Sequence, residues 1–186
     1  MTGARAYHHG DLRRALLVAA LEAIEEVGPA ALSLRDLARR AGVSHAAPAH
    51  HFGDKAGLLA ALAAQGFDRL AQRLTEAGDD LLAAGVAYVD FAVTHRAYFE
   101  VMFRPELYRA DDADLIAARE RAGAALRSGV AALPTGDTPA DVDRDALAAW
   151  SIAHGFATLW LAGVLPDRVG NEPREAARAV LRRLVN

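Results

Sequence analysis

Apolar residues recur at helical spacing in blocks along this chain, and glycine or proline closes most of the blocks. Leu12, Ala15, Leu16, Ala19, Ala20, Ala23, Ile24 and Val27 form one continuous stripe ahead of Gly28-Pro29, which predicts a helix from Asp11 to Val27. Leu34, Leu37, Ala38 and Ala41 repeat the spacing behind Ser33, a residue suited to cap a helix, and Gly42 supplies a left-handed stop. Ser44 can cap a second short helix, His45 to Phe52, which Gly53-Asp54 breaks. A longer stripe through Leu58, Leu59, Leu62, Ala63, Phe67, Leu70 and Leu74 predicts a helix from Lys55 to near Gly78.

Beyond Asp79 the apolar positions carry larger side chains. Leu81, Leu82, Val86, Val89, Phe91 and Val93 predict one helix, and Arg96 to Arg104 another that Pro105 stops. A further helix is expected over Asp112 to Ala132, then a loop from Leu133 to Ala140. Asp141 can cap a long helix running to Ala162 with Gly163 behind it, and Glu172 to Val185 makes the last, opened by Pro173. The alternation that marks strands is almost absent, so the fold class is all-α. Residues 1 to 9 read as a disordered arm, whose Arg5, Tyr7, His8 and His9 are either solvated or able to reach a minor groove.

Two short helices joined by a tight glycine turn make a helix-turn-helix, whose second helix enters the DNA major groove. Ser33-Leu34-Arg35, Leu37-Ala38, Ala41-Gly42-Val43-Ser44, His51-Phe52, Lys55 and Leu58-Leu59 together resemble the TetR family of bacterial transcriptional regulators. Trp150-Ser151-Ile152-Ala153-His154-Gly155 resembles the W-x-x-x-H-G signature of one C-terminal class of that family. The resemblance implies a three-helix DNA-binding domain over residues 1–55 and a larger helical ligand-binding and dimerisation domain over residues 56–186. It also implies double-stranded operator DNA as partner, a homodimer through the two C-terminal helices, and an unidentified small-molecule effector.

Composition changes this picture little. The 186 residues are 53% apolar, contain no cysteine and carry a net charge of -3, so bulk basicity does not announce a nucleic-acid binder and a thiolate metal site is excluded. Residues 1–55 hold 7 basic against 6 acidic side chains, and the remainder 14 against 18, so DNA contact rests on placement of charge. Lys55 is the single lysine among 21 basic residues, at the position where the family contacts phosphate, which points to a compact ammonium being wanted there. No segment approaches the roughly 20 apolar residues that span a bilayer. Arg13-Arg14 before Ala15 to Leu21 has the outline of a signal peptide, but Glu22, Glu25 and Glu26 continue the helix, and a cytoplasmic bacterial protein is expected.

Residues at the start of a recognition helix meet base edges first, so His45, Ala46 and Ala47 are the expected base readers: an imidazole for guanine, two methyls for thymine methyls. Arg35 matches a family position that reaches a base or phosphate, with pairing to Asp36 or Glu26 as the alternative. Ser33, Ser44, His50, His51 and Lys55 complete the expected DNA contacts, with Ser33, His51 and Lys55 on phosphates. Pro48-Ala49 departs from the family, which has an apolar residue followed by a DNA-touching Tyr; His50 is placed to substitute. His50, His51 and Asp54 do not make a metal site, because adjacent helical residues point about 100° apart.

In the larger domain Tyr88, Phe91, His95, Tyr98, Phe99, Met102, Phe103, Trp150, His154 and Thr158 stand out from an alanine-rich background. All but Tyr88 form the candidate ligand set, suited to a small, largely apolar molecule. Ala148, Ala149, Ile152, Phe156, Leu159 and Leu161 on one helix, with Ala176, Val180, Leu181 and Leu184 on the next, can supply a dimer interface. The function expected is a repressor released from its operator by ligand. The alternative is a ligand-binding helical dimer with weak or lost operator binding. No cofactor or metal is expected. An enzyme is not expected either, since no nucleophile elbow and no carboxylate pair in an apolar helix is present.

Overall fold

The computed structural model describes residues 3–131 and 138–184, and among these the regular elements are all helical. In chain order they are α1 (Gly3–Ala31), α2 (Leu34–Arg40), α3 (Ala47–Phe52), α4 (Lys55–Glu76), α5 (Leu81–Thr94), α6 (Arg96–Met102), α7 (Ala113–Ala131), α8 (Pro139–Leu161) and α9 (Pro173–Leu181). Short 3-10 turns occupy Pro105–Leu107, Asp167–Val169 and Arg182–Leu184.

The all-α expectation holds, and most helix ends fall where capping chemistry put them. Asp80 accepts from the Ala83 N–H at 2.9 Å and Asp112 from the Leu115 N–H at 3.0 Å, each satisfying one orphan donor of the helix it opens. Gly42, Gly78 and Gly163 take φ of 66°, 62° and 67° just past the ends of α2, α4 and α8.

The starts of α1 and α8 differ from expectation. The helical backbone of α1 begins at Gly3, not Asp11, so it takes up the segment read as an arm; Ala4 to Ala6 are good helix formers and no proline intervenes. Residues 1–2 and the side chains of Arg5, Tyr7, His8 and His9 lie outside the described residues. Inside α1, Gly28 leaves helical geometry at φ 76°, ψ 161°, so the continuous stripe stops at the glycine-proline pair as predicted and Pro29 to Ala31 form a separate turn. α8 is opened by Thr138 rather than Asp141, because Pro139 is at home in a first helical turn and the Thr138 side chain accepts from the Asp141 N–H. Residues 133–137 of the expected loop lie outside the described residues.

The chain packs as two compact units, Met1–Gly66 with Ala97–Ile116, and Phe67–Arg96 with Ala117–Asn186. In the first, Leu16, Ala20 and Ile24 of α1, Leu37 and Ala38 of α2, Phe52 of α3, and Leu58, Leu59 and Leu62 of α4 form the core, all buried. α6 joins it closely: a Cβ at Gly66 would lie 2.5 Å from Met102 Sδ, and Tyr98 donates from its hydroxyl to Gln65 Oε1 at 3.1 Å. In the second unit α5 lies against α8 and α9, and Val89 and Phe91 of α5, Phe156 and Ala157 of α8 and Ala177 of α9 are all buried. A Cβ at Gly85 would stand 2.8 Å from Leu181 Cδ1. Asp90, only 13% exposed, is flanked by Arg73 of α4 at 3.5 Å and Arg174 of α9 at 3.7 Å.

Glycines at two helical positions give opposite predictions. A Cβ at Gly57 would collide with the backbone carbonyl of Phe52, whereas at Gly129 it would meet only the Gly78 carbonyl at 3.7 Å, an ordinary contact. Alanine favours a helix over glycine by about 1 kcal/mol, but overpacking against backbone costs about 1–3 kcal/mol. Denaturant unfolding at fixed protein concentration should therefore show Gly57→Ala destabilised and Gly129→Ala unchanged or stabilised; a stabilised Gly57→Ala would refute the close approach.

Candidate functional site

The turn of the helix-turn-helix is built from backbone. Ala41 ends α2 in helical geometry, Gly42 is left-handed, the Val43 N–H bonds to the Ala38 carbonyl at 3.0 Å, and the Gly42 N–H bonds to the Arg39 carbonyl at 3.2 Å. These two bonds are a Schellman motif, which satisfies the last carbonyls of α2 and sends the chain off sharply.

α3 is shorter than its apolar pattern implies. Pro48 has no N–H to give the Ser44 carbonyl, and that carbonyl instead takes the Ala47 N–H at 3.0 Å, a tighter turn. Regular α-helix starts only at Ala47, with Ala46 in the capping position, so Ser44 is not the N-cap. Ser33 does occupy the N-cap position of α2, in extended geometry, though without a side-chain capping bond.

Of the predicted DNA contacts, Ser33, Arg35, Ser44, His45, Ala46 and His50 are exposed, and Ala47, His51 and Lys55 are half-buried. All nine lie in one continuous stretch of the first unit. Phe52 is buried, and the Arg13 guanidinium stacks over its ring at 5.3 Å. Lys55 Nζ donates to the Ala30 carbonyl at 2.5 Å, so the ammonium also holds the turn behind α1.

Charge behind the motif is arranged in a chain. Arg40 makes a forked pair with Glu26, at 2.9 and 2.7 Å, and a third bond to Asp36 at 2.7 Å, while Arg39 takes the other oxygen of Asp36 at 2.6 Å. The Arg40 guanidinium is the main cause holding both the Glu26 and Asp36 carboxyls below the usual carboxylate range. Arg39 and Arg40, rather than Arg35, thus take the two acidic partners that stand as the alternative for Arg35.

The candidate ligand residues fall into both units. Tyr98, Phe99, Met102 and Phe103 belong to the first, where Tyr98, Phe99 and Met102 are buried and the Phe99 and Phe103 rings meet edge to face at 5.1 Å. Phe91, His95, Trp150, His154 and Thr158 belong to the second. Phe91 is fully buried with His95 5.2 Å from its ring, and Thr158 is exposed on α8. Trp150 and His154 converge on Tyr88 of α5, whose hydroxyl accepts from Trp150 Nε1 at 3.1 Å and lies 2.8 Å from His154 Nδ1. Burial raises the Tyr88 phenol far above its ordinary pKa and lowers that of His154, so both groups of this pair favour their neutral forms. Among the described residues no group of acidic and histidine side chains could hold a metal ion, and no helix is long and apolar enough to cross a membrane.

Residues 16–62 match the family model of bacterial regulatory proteins of the tetR family, and residues 81–184 match that of the tetracyclin repressor-like C-terminal domain. The chain belongs to the TetR family. TetR-family proteins are DNA-binding transcriptional regulators, not enzymes, and they typically bind operator DNA as homodimers. The chain is similar to a solved protein of unknown function from Rhodococcus sp. RHA1, at 38% identity over 96% of each chain with a TM-score of 0.79. The TetR-family regulator PfmR of Thermus thermophilus shares the fold at TM-score 0.69 and 23% identity, over 91% of this chain and 96% of that one. NalD, the secondary repressor of the MexAB-OprM multidrug efflux pump in Pseudomonas aeruginosa, shares it at 0.58 and 23%, over 94% of each. The Escherichia coli regulator BetI is 53% identical over 49 residues, 26% of this chain, and the match spans a quarter of that regulator's length.

Two residues of this TetR-family site lie outside the set expected from sequence. Asp54 enters there only as part of the Gly53-Asp54 break and in a metal site that helix geometry rejects, yet its Oδ1 caps α4 by accepting the Gly57 N–H at 2.8 Å; an Asp ahead of Lys55 and an apolar stripe is a readable signal. Arg109, whose Nη2 donates to the same oxygen at 2.8 Å, comes from 55 positions away, and no local pattern links them.

The acid chain behind α2 has a definite sign. Glu26 and Asp36 have folded pKa values below their unfolded ones, so their contribution is present above the ordinary carboxylate range and lost as pH falls through it. Unfolding midpoints measured from pH 7 down to about pH 3 should fall less steeply for Arg40→Gln than for the unaltered chain. An unchanged slope would refute the coupling.

Proposed function

We propose that this TetR-family regulator is a repressor whose homodimer holds two half-sites of an operator and lets go when a small, largely apolar ligand enters. Each α3 occupies one major groove, His45, Ala46 and Ala47 meet base edges, and Ser33, His51 and Lys55 grip phosphates to fix register. Arg35, Ser44 and His50 contribute further contacts. The functional division falls at residue 55, with recognition before it and ligand binding and pairing after it. The observation that carries the reading is the set of exposed side chains Ser33, Arg35, Ser44, His45, Ala46 and His50 around a Schellman turn, inside the segment that matches the family's DNA-binding model.

Pairing is supported by what α8 and α9 leave uncovered. Leu147, Ile152 and Leu159 on α8 are 57%, 37% and 47% exposed, and Val180 on α9 is 41% exposed, apolar surface that a second copy could cover. The side chain of Leu184, also expected there, lies outside the described residues. Ligand entry is supported by the aromatic and polar-tipped set of α5 and α8, and EbrR, whose structure shares the fold at TM-score 0.59, is a multidrug binding protein. In mechanism, a tilt of α4 changes the spacing of the two recognition helices, so a ligand that prefers the wrong spacing weakens DNA binding, and DNA weakens ligand binding by the same factor. Such a regulator works in the cytoplasm.

Fluorescence anisotropy with duplex from upstream of the protein's own gene and from neighbouring promoters tests the DNA half. Selective binding should be steeply salt-dependent, Lys55→Ala should lower the salt slope by about 1 per subunit, and Ala46→Glu should abolish binding by setting a carboxylate against the DNA. Because Lys55 also holds the Ala30 carbonyl, the melting temperature of its variant is measured beside its affinity. If no promoter fragment is bound more tightly than random duplex, the alternative stands: a ligand-binding dimer in which Pro48-Ala49 has cost α3 its operator affinity.

The dimer has its own test. Leu159→Glu places a charge in the apolar face, and sedimentation should show monomers with operator affinity lost together with dimerisation. A Leu159→Glu protein that remains dimeric would rule out the α8 and α9 interface.

A further inference from the structure

The start of α4 carries a conflict between folding and DNA binding. The first N–H groups of a helix need acceptors, and the Asp54 side chain supplies one to Gly57. That oxygen brings a negative charge, 62% exposed, to a position directly before Lys55 and three after His51. Both neighbours are proposed phosphate contacts, so the carboxylate stands within a Debye length, about 8–10 Å, of groups that would repel it.

Arg109 meets the charge at its source. Its Nη2 donates to Asp54 Oδ1 at 2.8 Å, and it holds the Asp54 carboxyl below the usual carboxylate range. The guanidinium fits because two side chains are missing: a Cβ would stand 3.1 Å from Nη2 at Gly53 and 3.0 Å at Gly57. Its anchor is firm, since the neighbouring Tyr108 is buried and donates from its hydroxyl to the Met102 carbonyl at 2.8 Å. Asp111 and Asp112 add weaker attraction to the same guanidinium. An ion pair this exposed adds little to folding. Its larger effect is on the potential that an approaching phosphate meets.

We propose that Arg109, although it lies outside the helix-turn-helix, masks the Asp54 carboxylate so that the helix cap does not oppose DNA. Resting on the DNA-binding reading above, this makes operator affinity depend on a residue in the segment after α6. Arg109 acts through Asp54 and touches no phosphate itself.

Four proteins separate this from other roles: the unaltered chain, Arg109→Gln, Asp54→Asn and the double variant. Asparagine keeps the capping oxygen and drops the charge. Anisotropy is read on promoter duplex and on random duplex at two salt concentrations, with melting temperatures alongside. Arg109→Gln should bind about three- to tenfold more weakly at low salt, with the deficit shrinking as salt rises. Asp54→Asn should bind at least as tightly as the unaltered chain, and the double variant should match Asp54→Asn. If Asp54→Asn weakens binding as Arg109→Gln does, the pair is only a brace and the masking role is overturned. A double variant as weak as Arg109→Gln would make Arg109 a direct phosphate ligand, and an Arg109→Gln protein with unaltered affinity overturns the proposal outright. Failure of the unaltered chain on every duplex refutes the DNA-binding reading instead, and is told apart because it needs no variant.

Discussion

The helix-turn-helix depends on how closely the carbonyl of Phe52 approaches Gly57. That contact sets where α3 ends and α4 begins, and no side chain fits between them. Gly53 turns the chain at φ 78°, Asp54 caps the new helix, and Phe52, Leu58 and Leu59 drop into one core with Leu37 of α2 and Ile24 of α1. Because protein interiors are packed like crystals, a recognition helix clamped at its exit by backbone and at its entrance by the Schellman turn has little freedom of its own. Whatever moves it moves α4 as well.

The second unit uses small residues for a different end. Alanine and glycine let α5, α8 and α9 close on one another, as at Gly85 against Leu181, and the aromatic side chains are then concentrated at a few places. Tyr88 is the central one: buried, it accepts from Trp150 and shares a hydrogen bond with His154, so two side chains of α8 one turn apart are fixed by a single hydroxyl of α5.

Much of this is legible in the sequence. The stripes and stops of α1 through α9, the glycine turn at Gly42 and the burial of Phe52 follow from periodicity and capping, which act locally. The misses come from groups distant in sequence, from a missing backbone donor at Pro48 and from a competing local cap at Thr138. Pro48 is tolerable in a first turn, but it displaces that turn from Ser44 to Ala47, which apolar spacing does not reveal. Thr138 outcompetes Asp141 as a cap because Pro139 fits directly behind it. The pairing of Arg109 with Asp54 is tertiary and leaves no trace in either neighbourhood. Arg39 and Arg40 take Asp36 and Glu26 because α1 and α2 pack together, which leaves Arg35 outside that network.

Lys55, hydrogen-bonded to the turn behind α1, is the single lysine in 186 residues, and the other 20 basic side chains are arginine. Reagents that acylate or reductively alkylate amines therefore find one side-chain target in the chain, at the junction of α1 and α4. A fluorophore or crosslinker attached by such chemistry then has one side-chain address, beside the α-amino group that the same reagents modify, without any engineered cysteine. It would report directly on the seam where the first helix, the recognition helix and the long fourth helix meet.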